Sequence, residues 1–180
     1  MIHDKKSIAE ALLKNTASFA AHFSEKNLQK KPANWAESAP APGKWSPLQH
    51  LDHLHFSVKT INRYLRWLPK WVFRWRFGKP NRPGRDFEGV VARYEEKLIT
   101  GNPKNNRFST GVVPAERRVE LLRDFEKEHM DFVRLFSKWP EKDLDETLVP
   151  HPLLGKITVR EMLFFMVNHM RHHEKIVEKT

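Results

Sequence analysis

The sequence predicts an all-α protein, a four-helix bundle with a long crossover between the second and third long helices. Three observations carry this. Glycine is scarce, seven in 180 residues, while Leu, Lys, Glu, Arg and Ala abound, which favours helices over a turn-rich sheet. Four segments repeat apolar residues at steps of three and four. Two of those segments open with a capping box. The length suits one sizeable core, so a single domain over 1–180 is expected.

The first helix is expected over residues 4–28, where Ile8, Leu12, Asn15, Phe19 and Phe23 form one stripe. Pro32, Pro40, Pro42 and Gly43 then break the chain into a loop. The second helix starts at Ser46, with Pro47 at its first turn and Gln49 completing the box, and runs to about Leu68. Its bundle-facing seam is Leu51, Leu54, Val58, Ile61, Leu65 and Leu68. Residues 69–112 read as an irregular crossover with Pro69, Pro80, Pro83 and Pro103, carrying one short helix over 86–100. The third long helix begins near Pro114, shows Leu122, Phe125, His129, Phe132, Phe136 and Trp139 on one face, and ends at Pro140. A loop with His151, Pro152 and Gly155 follows, and then Thr158 and Glu161 cap the fourth helix.

Composition excludes some chemistry. With no cysteine, disulfides, thiolate ligands and a cysteine nucleophile are ruled out, so any metal rests on His, Asp or Glu. No apolar run reaches the ~20 residues of a spanning helix. The opening MIHDKKSIAE lacks the apolar stretch of a secretory signal, and a cytoplasmic location is expected. The net charge of +10 points to acidic partners without choosing among them. GxSxG, GxGxxG, phosphate-loop and HExxH motifs are all missing, and no general base stands out.

Ten histidines remain, and helical position sorts them. On the fourth helix, Val159, Met162, Leu163, Met166, Met170 and Val177 mark the apolar face. His169 and His173 fall within it, one turn apart, whereas His172 points to one side. Two imidazoles at i and i+4 on a buried face can share one ion, and the competing reading is a pair of hydrogen-bonded core histidines. A third ligand from the second helix could be His50, nearer the seam centre, or His53, toward its flank; geometry alone leaves that open. His129 lies in the third seam, where packing or a substrate contact is the simpler role. His3, His22, His55, His151 and His172 carry no argument beyond residue type.

Two segments carry a resemblance. GKWSPLQHLDHL, residues 43–54, resembles the entry to the second helix of DinB-like proteins, and HPLLGKITVREMLFFMVNHMRHHEKIV, residues 151–177, resembles their last helix and its lead-in. The resemblance implies a metal-binding His eight residues after Trp45, which is His53, together with His169 and His173. After the last of these, Glu174, Lys175 and Ile176 depart from the Gln and aromatic or aliphatic residues of many relatives. A three-histidine site on Zn²⁺ or Ni²⁺ leaves positions open, as catalytic sites do, where a water can be acidified to a pKa of roughly 7 or a thiolate stabilised. The superfamily includes transferases and isomerases using small thiol cofactors, and members described as hydrolases. The expectation is therefore a metal-dependent hydrolase or thiol-dependent transferase acting on a small molecule, with a low-molecular-weight thiol as an optional cofactor and a homodimer as an optional assembly.

A rival function rests on residues 63–85, where Trp67, Trp71 and Trp75 interleave with Arg63, Arg66, Lys70, Arg74 and Arg76. A non-enzymatic binding protein would use this segment on an anionic membrane surface or, less favoured, on single-stranded nucleic acid. The preferred reading is a crossover that packs its tryptophans on the bundle, leaves its cations solvated, and at most borders the pocket entrance, because Pro69 and Pro80 disfavour a clean amphipathic helix.

Overall fold

The computed structural model describes residues 2–100 and 110–180. It is a four-helix bundle in which the first and last long helices run one way and the middle two the other, with one small hairpin. Helix α1, Lys5–Ala21, is capped by Asp4, whose carboxylate accepts from the Ser7 N–H at 2.7 Å. It stops earlier than the expected residue 28. Ser24 Oγ and Asn27 Nδ2 both donate to the Ala21 carbonyl, at 2.8 and 2.6 Å, engaging an acceptor that a continuing helix would offer to the next turn. A separate turn, α2, Glu25–Leu28, follows. Helix α3, Pro47–Trp67, has the Ser46–Gln49 box as expected.

The crossover contains more helix than its prolines suggested. Helix α4, Lys70–Phe77, starts immediately after Pro69 and ends at Gly78, whose φ of 82° is the positive value that favours glycine at a helix end. Pro69 thus bounds a helix instead of breaking one. Phe73 is the buried residue of α4, with Phe77 partly buried one turn on; Trp71 and Trp75 lie on the opposite face and are 69% and 80% exposed. The expectation that the tryptophans pack on the bundle is therefore corrected: the phenylalanines pack there and the tryptophans face outward. Helix α5, Phe87–Thr100, matches the expected short helix. The crossover position Pro103 lies outside the described residues.

After Pro114 a single 3-10 turn, Ala115–Arg117, leads into α6, Arg118–Ser137, which buries Leu121, Phe125, His129, Phe132 and Phe136; Leu122 is only partly buried. The stretch expected to be a loop instead holds α7, Glu141–Glu146, and an antiparallel hairpin of β1, Leu148–His151, and β2, Gly155–Thr158. Gly155 turns that hairpin with a φ of 74°. Four-residue strands with little alternation carry almost no periodicity to read. Helix α8, Val159–Glu178, completes the bundle.

Buried apolar residues form two clusters. One gathers Ile8, Leu12, Val58, Phe132, Val159 and residues 162–167; the other gathers Phe19, Leu48, Leu51, Leu54, Phe125, Met170 and Val177. Each long helix carries a buried polar residue at or within a turn of the point where one cluster gives way to the other: Asn15 on α1, His53 on α3, His129 on α6 and His169 on α8. Asn15 Nδ2 donates to the Val167 carbonyl at 3.2 Å, tying α1 to α8 within this layer.

The start of α8 is held by Glu161, which is fully buried. Its carboxylate accepts from the Thr158 N–H at 2.9 Å, the Arg85 N–H at 2.9 Å, and the Arg82 guanidinium at 2.8 and 3.0 Å. Burial pushes this carboxyl up, but the hydrogen bonds from Arg82 and from the Arg85 and Thr158 amides outweigh it and hold it below the usual carboxylate range. Its stabilising contribution is present above the unfolded-state pKa and is lost as pH falls through the lower folded value. Glu161→Ala is expected to lower the unfolding free energy by about 3 kcal/mol at neutral pH, measured by urea denaturation, and to weaken its acid dependence. A change below about 0.5 kcal/mol would show the network to be dispensable.

Candidate metal centre

Helices α3 and α8 bring three histidines together inside the polar layer. His53 Nε2 and His169 Nε2 are 3.0 Å apart, and His173 Nε2 lies 3.0 Å from His169 Nε2. All three rings are buried, and their ligand atoms lie within 4.8 Å of one another. The spacing within α8 is the i, i+4 pair read from the sequence; the α3 partner in this cluster is His53. His50 instead reaches the other side of His173, with Nδ1 to Nδ1 at 2.8 Å.

Hydrogen bonding alone does not satisfy this cluster. A neutral imidazole nitrogen offers one proton or one lone pair in the ring plane, so His169 Nε2 cannot serve both neighbours well. A single cation meets all three lone pairs, and the observed separations are close to the roughly 3.3 Å between nitrogens sharing a tetrahedral Zn²⁺. With His173 Nε2 given to an ion, its Nδ1 keeps the proton and donates to His50, the outer hydrogen bond that fixes a ligand's tautomer. Burial, then the neighbouring imidazoles, hold His169 and His173 well below the ordinary histidine pKa, so both are neutral and able to ligate. Burial likewise lowers His50 to about 4. Trp45 covers the cluster, its ring parallel to that of His173 at 6.3 Å and 5.1 Å from His53.

The other histidines add no ligand atom to this grouping. His129 Nδ1 donates to the Phe125 carbonyl at 2.8 Å, and burial lowers its pKa to about 4. His172 is half-buried beside Tyr94 at 6.2 Å. A second grouping of His22, Glu174 and Glu178 is more open to solvent. Residue type was the only signal for His151 in the sequence. In the hairpin, His151 Nδ1 accepts the Leu153 and Leu154 N–H groups at 3.2 and 3.0 Å, which assigns its proton to Nε2.

A cavity of about 570 Å³ opens beside the cluster. His53, His169 and His173 border it, and Phe73, Leu163 and Met166 belong to its mostly apolar wall. Among the described residues, no Asp, Glu, Lys or Arg lines it. His151 and Tyr94 do, and burial pushes the Tyr94 phenol up to about 12, so it stays protonated. The arrangement can seat a small uncharged molecule against three lone pairs, with neutral donors at hand.

No curated protein sequence matches the chain. Among solved structures, YfiT from Bacillus subtilis, described as a probable metal-dependent hydrolase with an unusual four-helix bundle topology, is similar with a TM-score of 0.59. The match covers 97% of this chain and 84% of that one at 16% identity, a likeness of fold. The described residues include no helix long and apolar enough to cross a membrane. The sequence profile of the DinB superfamily spans residues 9–177, and the chain belongs to that superfamily.

Proposed function

We propose that this protein is a metal-dependent hydrolase acting on a small, uncharged, largely apolar substrate, with His53, His169 and His173 as ligands of a divalent Zn or Ni ion. The observation that carries the proposal is the convergence of three buried Nε2 atoms at the edge of a cavity lined, among the described residues, by no Asp, Glu, Lys or Arg. The description of the structurally similar YfiT as a probable metal-dependent hydrolase supports it. The uncharged side chains among the described lining residues favour hydrolysis over transfer to a thiol cofactor bearing carboxylates, which would find no cation among them.

Such an ion would supply Lewis acidity, polarising a carbonyl and lowering the pKa of a water. The remaining work falls to the chain. His50 orients the His173 ring. His151, its Nδ1 occupied by two backbone amides, offers a proton donor and not a base on the cavity wall. The apolar wall excludes bulk water and strengthens polar interactions with the substrate.

Metal analysis of untagged protein tests the ligand set. His53→Ala, His169→Ala and His173→Ala are each expected to strip the ion and to abolish hydrolysis of p-nitrophenyl esters of uncharged acids, while His172→Ala keeps the ion. If all three ligand variants hold as much metal as the wild type, the proposal fails.

His50→Ala is expected to keep the ion but bind it roughly 10–100-fold more weakly, measured by competition with a chelator. Complete loss of metal would instead make His50 a ligand.

The pH dependence follows from the depressed histidines. Protons compete with the metal only below the folded-state pKa values, so the apparent metal affinity should begin to fall at a pH below the roughly 6.5 at which proton competition sets in for exposed histidines. The same shifts make the metal-free protein lose stability as pH falls from about 6.5, because the unfolded chain takes up protons that the buried rings refuse. An affinity that already falls as the pH approaches roughly 6.5 from above would contradict this reading.

A further inference from the structure

We infer that the face formed by α4 and the end of α3 docks on an anionic lipid bilayer. Trp67, Trp71 and Trp75 are 74%, 69% and 80% exposed, a concentration of solvated aromatic surface that a soluble face rarely carries without a partner. Trp71 and Trp75 share one side of α4 at i, i+4 spacing, and Phe73 opposite them is buried in the core, so the helix is anchored with its indoles outward. Trp67 ends α3 immediately before the bend at Leu68 and Pro69.

Charge selects the partner. From Arg63 to Lys79 the chain has six cations and no carboxylate. Arg66, Lys70 and Arg74 meet Asp131, Asp143 and Glu146 on neighbouring elements. Arg63, Arg76 and Lys79 are exposed and have no ion-pair partner among the described residues. Indoles suit the headgroup region, where one edge meets acyl chains and the N–H stays wet, while the cations meet lipid phosphates. A stacking platform for single-stranded nucleic acid would need its aromatics in a groove that follows a backbone. Here the two α4 indoles project from a short convex helix, which suits insertion into a lipid surface.

The surface is joined to the cavity. Tyr64, which is 43% exposed, lines the cavity one turn before Trp67, and Phe73 closes the wall behind the α4 indoles. Docking through this face would put the cavity wall next to the lipid phase, a natural source for an apolar substrate. The inference does not depend on the metal reading, since the site and the surface share no proposed ligand.

Sedimentation with phosphatidylglycerol–phosphatidylcholine vesicles, against pure phosphatidylcholine vesicles and a single-stranded oligonucleotide, tests it. The full-length protein is expected to bind the anionic vesicles, more weakly as salt rises, with tryptophan emission shifting to the blue. The exposed double variant Trp71→Ser/Trp75→Ser is expected to lose at least about tenfold in vesicle affinity. Arg63→Gln/Arg76→Gln is expected to lose about fivefold per cation. Both variants should keep wild-type metal content and circular dichroism, which separates this test from that of the hydrolase. Failure of the wild type to bind anionic vesicles, variants that bind as well as the wild type, or tighter binding to the oligonucleotide through the same residues would each overturn the inference.

Discussion

The constraint on which this fold turns is a polar layer set across an apolar bundle. Asn15, His53, His129 and His169 come from the four long helices and lie at or next to the junction of two apolar clusters, and His50 and His173 extend the polar set into one of them. Buried polar groups are unfavourable unless paired, so any sliding of one helix past another would strand an imidazole against leucine or phenylalanine. A layer of this kind disfavours alternative registers while it holds lone pairs facing inward. The same residues that make the core harder to build make it chemically useful.

Glu161 connects this layer to the outside of the molecule. It caps the helix that carries His169 and His173, and it also binds Arg82 and Arg85 of the crossover. The crossover in turn positions α4, whose Phe73 closes the cavity. One buried carboxylate therefore sets both the origin of the ligand helix and the placement of the wall that faces it. Its partners come from a stretch otherwise distinguished by exposed cations, so positive charge there has two separate uses, one inward and structural, one outward.

Much of this was legible in the sequence, for identifiable reasons. Ser46 with Gln49 and Thr158 with Glu161 are local signals, and local chemistry decides helix starts. The stripe of Ile8, Leu12, Asn15 and Phe19 set the inward face of α1, and the i, i+4 pair placed His169 and His173 together. What was not legible depends on partners distant in sequence. That His53 meets His169 while His50 meets the far side of His173 depends on how each ring approaches α8, which angular position on a helix cannot decide. The outward turn of Trp71 and Trp75 depends on Phe73 winning the core contact, a competition between aromatic residues that composition cannot rank. The end of α1 was missed because two polar side chains compete for the Ala21 carbonyl. His151 gains its assigned tautomer only once the hairpin turn has formed around it.

The placement of Trp45 has a spectroscopic consequence. Its indole lies parallel to the His173 ring and beside His53, within the distance at which a protonated imidazole or a transition ion quenches excited indole efficiently. Trp35 and Trp139 are buried at other points in the fold, and the α4 indoles face solvent. The chain thus carries an internal optical probe at its histidine cluster, whose emission reports the electronic state of that cluster without any added label.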